Sequence, residues 1–127
     1  MRRVILFLSV GLVATPALAD VSAQAFTVRV DKLMGQGPLA LFSPERHRLQ
    51  DLAEANGDQL LAERREAIAR HEQPAYCPPP GASPYLGARQ LVNGLHAMPV
   101  AERERMTLKE AMRTLLARLH PCPRAAR

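Results

Sequence analysis

Cys77 and Cys122 are the only cysteines in a chain of 127 residues, and they lie downstream of a segment with the build of an export signal. Arg2 and Arg3 precede an apolar run from Val4 to Val13, and Ala17-Leu18-Ala19 closes the segment before Asp20. This charged, apolar and small-residue order is that of a cleavable signal peptide, which assigns residues 1–19 to the signal. Ser9, Gly11, Thr15 and Pro16 break the run, leaving it short of the roughly 20 apolar residues a spanning helix needs. The expectation is a periplasmic protein with no membrane contact after signal cleavage. Two lone thiols in an oxidising compartment pair by default. A Cys77–Cys122 bridge would contribute about 4 kcal/mol by restricting the unfolded chain. Everything between the two cysteines must then double back on itself.

Two other uses of the thiols are weaker. His71 and His120 could join them as metal ligands, but neither Cys-x-x-Cys nor His-x-x-x-His spacing occurs to preorganise a site. A thiolate nucleophile with His71 or His96 as its base would need a free thiol and an orienting third group, and no local signature supplies them. No metal and no cofactor are expected.

The length suits one domain, and 47% hydrophobic with 23% charged residues is an ordinary globular balance. Aromatics are only 4% and Trp is absent, so there is no platform for stacking bases. The net charge of +5 comes almost wholly from Arg, but the cations alternate with acids, as in Glu63-Arg64-Arg65-Glu66 and Glu102-Arg103-Glu104-Arg105. Such interleaving reads as solvated helix faces, and no nucleic-acid partner is expected.

Along the exported chain, residues 20–25 read as a flexible leader. Phe26 to Met34 reads as a short helix capped by Thr27 and stopped by Gly35 and Gly37. Phe26, Val28 and Val30 also alternate with polar residues, which is the strand pattern; the cap and the glycine stop favour the helix. Pro38-Leu-Ala-Leu-Phe42 is an apolar connector expected to pack into the core. Ser43 then caps a helix with Pro44 at its first position and Glu45 in its first turn, running to about Glu72. Leu49, Leu52, Ala53, Leu60, Leu61, Ala67 and Ile68 form its apolar face. Asn56-Gly57 could bend or split it, and Glu66 and Arg70 are placed for an i,i+4 ion pair.

Pro74 ends that helix, and a stiff loop follows around Cys77-Pro78-Pro79-Pro80-Gly81. Ala88 to Met98 is the next helix, with Leu91, Val92, Leu95 and Met98 on one face. Thr107-Leu108-Lys109-Glu110 is a capping box opening a last amphipathic helix, with Leu115 read at the centre of its stripe and Leu91 and Leu95 facing it. Leu61 is read at the edge of the long helix's face. The whole is therefore expected to be all-α: about four helices and one disulfide in a single domain over residues 26–123, with a flexible tail at 124–127. The last two helices are expected to organise the core.

Tyr76-Cys77-Pro78-Pro79-Pro80-Gly81, the helix bearing Leu91, Val92 and Leu95, Met98-Pro99, and the capped helix closed by His120-Pro121-Cys122 together resemble the Tai-type periplasmic immunity proteins. That family protects bacteria from amidase effectors delivered by type VI secretion. The likeness covers the C-terminal half only. The family's further upstream cysteines are missing here, so effector contacts in the N-terminal half cannot be carried over. The resemblance implies an all-α, exported, disulfide-stapled binding protein.

Gly-x-Ser-x-Gly, His-Glu-x-x-His and Gly-rich phosphate loops are absent, so catalysis is not expected. Docking on another protein, a toxin or cell-wall hydrolase effector, is the leading expectation. The alternative is a small acid-stress chaperone, since Asp51, Glu54, Asp58, Glu63 and Glu66 lie near the long helix's apolar stripe. Broad apolar stripes on short helices are compatible with a homodimer as well as with core burial.

Overall fold

The capping box is formed in full. In the computed structural model, which describes residues 20–124, Thr107 Oγ1 accepts from the Glu110 N–H at 3.1 Å and Glu110 Oε2 accepts from the Thr107 N–H at 2.8 Å. It opens helix α5 (Leu108–Leu119), the last of five α-helices among the described residues, after α1 (Ala23–Met34), α2 (Pro44–Ala69), α3 (Ala88–Ala97) and α4 (Val100–Arg105). A 3₁₀ turn (Gly37–Phe42) joins α1 to α2. The fold is all-α, and no strand occurs among the described residues. The expected signal, 1–19, and the last three residues of the expected tail lie outside them; Arg124 is exposed beyond the last helix.

Helix α1 starts earlier than the sequence reading placed it. Ser22 is the cap, accepting from the Ala25 N–H at 3.0 Å, while Thr27 is buried and donates to the Ala23 carbonyl at 2.8 Å. The supposed leader at 20–25 is folded: the Ala23 N–H donates to Met106 O at 3.0 Å and the Leu108 N–H to Val21 O at 2.8 Å. These bonds tie the start of α1 to the start of α5, so Ala23, Phe26 and Val30 enter the core as one face. The strand alternative for 26–34 is closed by this helix.

Helix α2 is continuous through Asn56-Gly57 for 26 residues, with Ser43 capping it through the Glu45 N–H at 3.3 Å. Gly57 is buried, because Tyr85 lies over it; a Cβ there would sit 3.2 Å from Tyr85 Cδ1. The helix ends at Ala69 on a Schellman turn. The His71 N–H donates to Ile68 O and the Glu72 N–H to Ala67 O, with His71 at φ 57° where glycine is the usual choice. Arg70 consequently reaches Glu72 past the helix end, at 3.5 Å, instead of the expected Glu66.

The C-terminal half follows the expected order, with α4 added after Pro99. Arg103 of that short helix is buried and donates to the Leu95 carbonyl at 3.0 Å, which at the end of α3 also accepts from the Met98 N–H. Cys77 and Cys122 are bridged with Cα atoms 4.8 Å apart, and the Cys77 N–H donates to His120 O at 2.8 Å. Tyr76 beside it is fully buried, with Arg64 donating to its carbonyl and lying 5.8 Å from its ring centroid.

The buried positions of α5 are Leu108, Ala111, Met112 and Leu116, so Leu116 and not Leu115 is central. Leu115 is half-buried against α3, where a Cβ on Gly94 would approach its methyls to 2.6 Å. On α2 it is Leu60, not Leu61, that is fully buried. Helix α5 lies against α1, α2 and α3, and α1 in turn touches α2, α3, α4 and α5. The core is therefore organised by α1 and α5 together, not by the last two helices alone.

Candidate binding groove

The face of α2 toward the core runs Leu49, Ala53, Gly57, Leu60, and its two middle members are small. A groove of about 490 Å³ lies over this face between α1, α2 and α3. Phe26, Val30 and Leu33 of α1 form one wall, and Leu91 and Val92 of α3 the other. Tyr85 and Leu86 close one end, and Met112 of α5 reaches it from within.

Tyr85 is positioned by a hydrogen bond from its hydroxyl to Asp58 Oδ1 at 3.1 Å, and donating that proton pushes its pKa up. Arg46, Gln50 and Glu54 are the polar residues on the groove's α2 side. Apolar walls with a few polar groups at the rim are the usual make-up of a binding cleft. The only sequence signal for it was the pair of small residues inside an otherwise leucine-rich stripe.

Ion pairs hold the groove's helices in place. Glu63 of α2 accepts from Lys109 at 2.8 Å and Arg113 at 2.7 Å, linking α2 to α5. Burial pushes the Glu63 carboxyl up, and the two cationic donors outweigh it, holding the group below the ordinary carboxylate range. Arg29 and Glu45 join α1 to α2 at 2.6 Å; that hydrogen bond lowers the Glu45 carboxyl and raises the Arg29 guanidinium. His96 of α3 reaches Asp31 of α1 at 2.7 Å.

The four histidines do not converge. His47 and His71 are exposed, His96 sits on Asp31, and His120 occupies the end of α5. Among the described residues no group of three or more His, Cys, Asp or Glu is placed to hold a metal. Both thiols are in the bridge, which removes the thiolate nucleophile considered from sequence. The carboxylates weighed for an acid switch are dispersed: Asp51, Glu54, Asp58 and Glu66 are exposed, and only Glu63 is half-buried between helices.

One surface contradicts the sequence reading. The connector Pro38–Phe42 does not enter the core: Leu39 is 73% exposed, Leu41 60% and Phe42 84%, with Met34 alongside at 61%. A 3₁₀ turn this short places successive side chains on three sides and has no continuous face to bury. Compared with protein-family models, with curated proteins and with solved structures, the chain matches none.

Proposed function

We propose that this is an exported protein whose work is to dock on another protein, with a cell-wall hydrolase effector as the partner class. The observation that carries the reading is the apolar groove of about 490 Å³, lined by Ala53 and Gly57 between helices that ion pairs link to their neighbours. The likeness of residues 76–122 to Tai-type immunity proteins supports the same partner, and the Cys77–Cys122 bridge supports an oxidising compartment such as the periplasm. Docking there would cover the half-buried Leu33, Ala53 and Val92 and place Arg46 and Glu54 at the rim.

Deleting the gene should make cells sensitive to their unmodified sisters, and the effector should co-purify with the exported protein. Ala53→Glu with Val92→Glu, which charges the α2 face and the α3 wall, should abolish both protection and co-purification. Full resistance of the deletion strain, with no co-purifying effector, would overturn the reading.

Glu45 and Glu63 favour a second reading, an acid-stress chaperone. Both are held ionised by cations that join helices, and acid would release both links. Failure to suppress client aggregation at about pH 2–3, below unperturbed carboxylate values, would dispose of it.

A further inference from the structure

We propose that the 3₁₀ turn is a membrane-docking tip whose partner is an anionic lipid surface, a role separate from the groove. The turn's sequence, Gly37-Pro-Leu-Ala-Leu-Phe42, and its neighbours Gln36 and Ser43 carry no charge. Residues three apart in a 3₁₀ turn eclipse, so Leu39 and Phe42, the two most exposed large apolar side chains, form one projecting ridge. Leu41 and Met34 flank it, both more than half exposed. Exposed apolar side chains scattered singly need no explanation, but four within nine residues form a patch of the kind that marks an interaction surface.

Behind the ridge stands a collar of cations. Lys32 and Arg46 are exposed and make no ion pair among the described residues. Arg48 reaches Glu45 only at 3.8 Å, while Arg29 holds that carboxylate at 2.6 Å. Asp31 is engaged by His96 at 2.7 Å, and Asp51, one turn beyond Arg48, is exposed with no ion pair among the described residues. His47 lies between the two arginines and is exposed. The four cations Arg29, Lys32, Arg46 and Arg48 outnumber the acids Asp31, Glu45 and Asp51, so the local balance is positive.

An apolar ridge with cations set back from it matches the layering of a bilayer surface, acyl chains beneath anionic headgroups. A protein cleft fits the tip less well. Specific protein interfaces carry about one hydrogen bond per 100–200 Å², and the ridge offers almost no side-chain donors or acceptors. No helix among the described residues is long and apolar enough to cross a membrane, and peripheral docking requires none. The tip therefore departs from the expectation, drawn from missing spans, that the exported chain makes no membrane contact.

The test is cosedimentation of the oxidised exported protein with vesicles of phosphatidylcholine, with and without phosphatidylglycerol. Binding is expected only to the anionic vesicles and should weaken as salt shortens the screening length. Phe42→Ser with Leu39→Ser should lower binding at least about tenfold, since both side chains are offered to the acyl boundary. Lys32→Gln with Arg48→Gln should lower it about 25-fold, near fivefold for each cation at an anionic surface. All four positions are exposed, and unchanged helical circular dichroism will show that the variants are folded. Absence of binding to anionic vesicles, equal binding to neutral ones, or indifference to either pair of substitutions would overturn the proposal. Loss of effector neutralisation by the Phe42 and Leu39 variants, without any vesicle binding, would reassign the tip to protein docking. The vesicle outcomes are independent of the groove, which is read through Ala53 and Val92.

Discussion

Leu116 and Leu39 are the same residue in opposite circumstances. Leu116 is 1% exposed, on a helix that touches three others, whereas Leu39 is 73% exposed on a turn that rests on the two helices it joins. Both belong to apolar clusters, so composition does not separate them. What separates them is periodicity: Leu108, Ala111, Met112 and Leu116 recur at helical spacing and present one long face to the core, while five apolar residues in succession on a 3₁₀ turn point to three sides and share at most a two-residue ridge. The interior around α1 and α5 carries stability, and the turn supplies surface.

Removing the bridge strikes the interior hardest. Cys77→Ser with Cys122→Ser should cost about 4 kcal/mol in urea unfolding, for a loop with a sequence separation of 45. A loss below 1 kcal/mol, on the order of a single surface contact, would mean that packing alone defines this half.

The helix caps sharpen the contrast at smaller scale. Thr107→Ala should cost about 0.5–2 kcal/mol, because it breaks a reciprocal cap beside the backbone bonds joining α1 to α5. Ser43→Ala, next to the exposed turn, should cost less, since its single bond to the Glu45 N–H is long at 3.3 Å. Equal thermal shifts for the two would remove the distinction between the regions.

A pH series gives the smallest effect. The Glu63 carboxyl titrates lower in the folded protein than its ordinary 4.5. A depressed folded value means that the link to Lys109 and Arg113 stabilises above the unfolded value and is lost as pH falls through the folded one. Glu63→Gln should therefore melt lower near neutrality, and the difference from wild type should shrink as pH drops below about 4.5. A difference that stays constant down to about pH 3 would show that the ion pairs contribute nothing.

The elements legible in the sequence were those with local chemistry at their ends. Ser43-Pro44, the Thr107–Glu110 box and the Cys77–Cys122 pair each act over a short span or through a covalent rule, and each stands where it was read. The start of α1 was misread because its partner is distant: Ala23 bonds to Met106 and Val21 to Leu108, which no nearby residue announces. Helix α4 was missed because six residues of mixed charge carry no apolar period, and its one buried side chain is an arginine capping α3. The groove left only a faint trace. Ala53 and Gly57 look like ordinary small members of a stripe until Tyr85 and the wall from α1 are placed around them.

The division between interior and tip is tested most directly by urea unfolding of Leu116→Ala and Phe42→Ala, compared at equal slope. Leu116→Ala should lose about 2–5 kcal/mol, the range for opening a cavity in a packed core. Phe42→Ala, removing a side chain that is 84% exposed, should stay within about 0.5 kcal/mol of wild type. A Phe42→Ala loss equal to or greater than that of Leu116→Ala would place the turn inside the core and contradict the account.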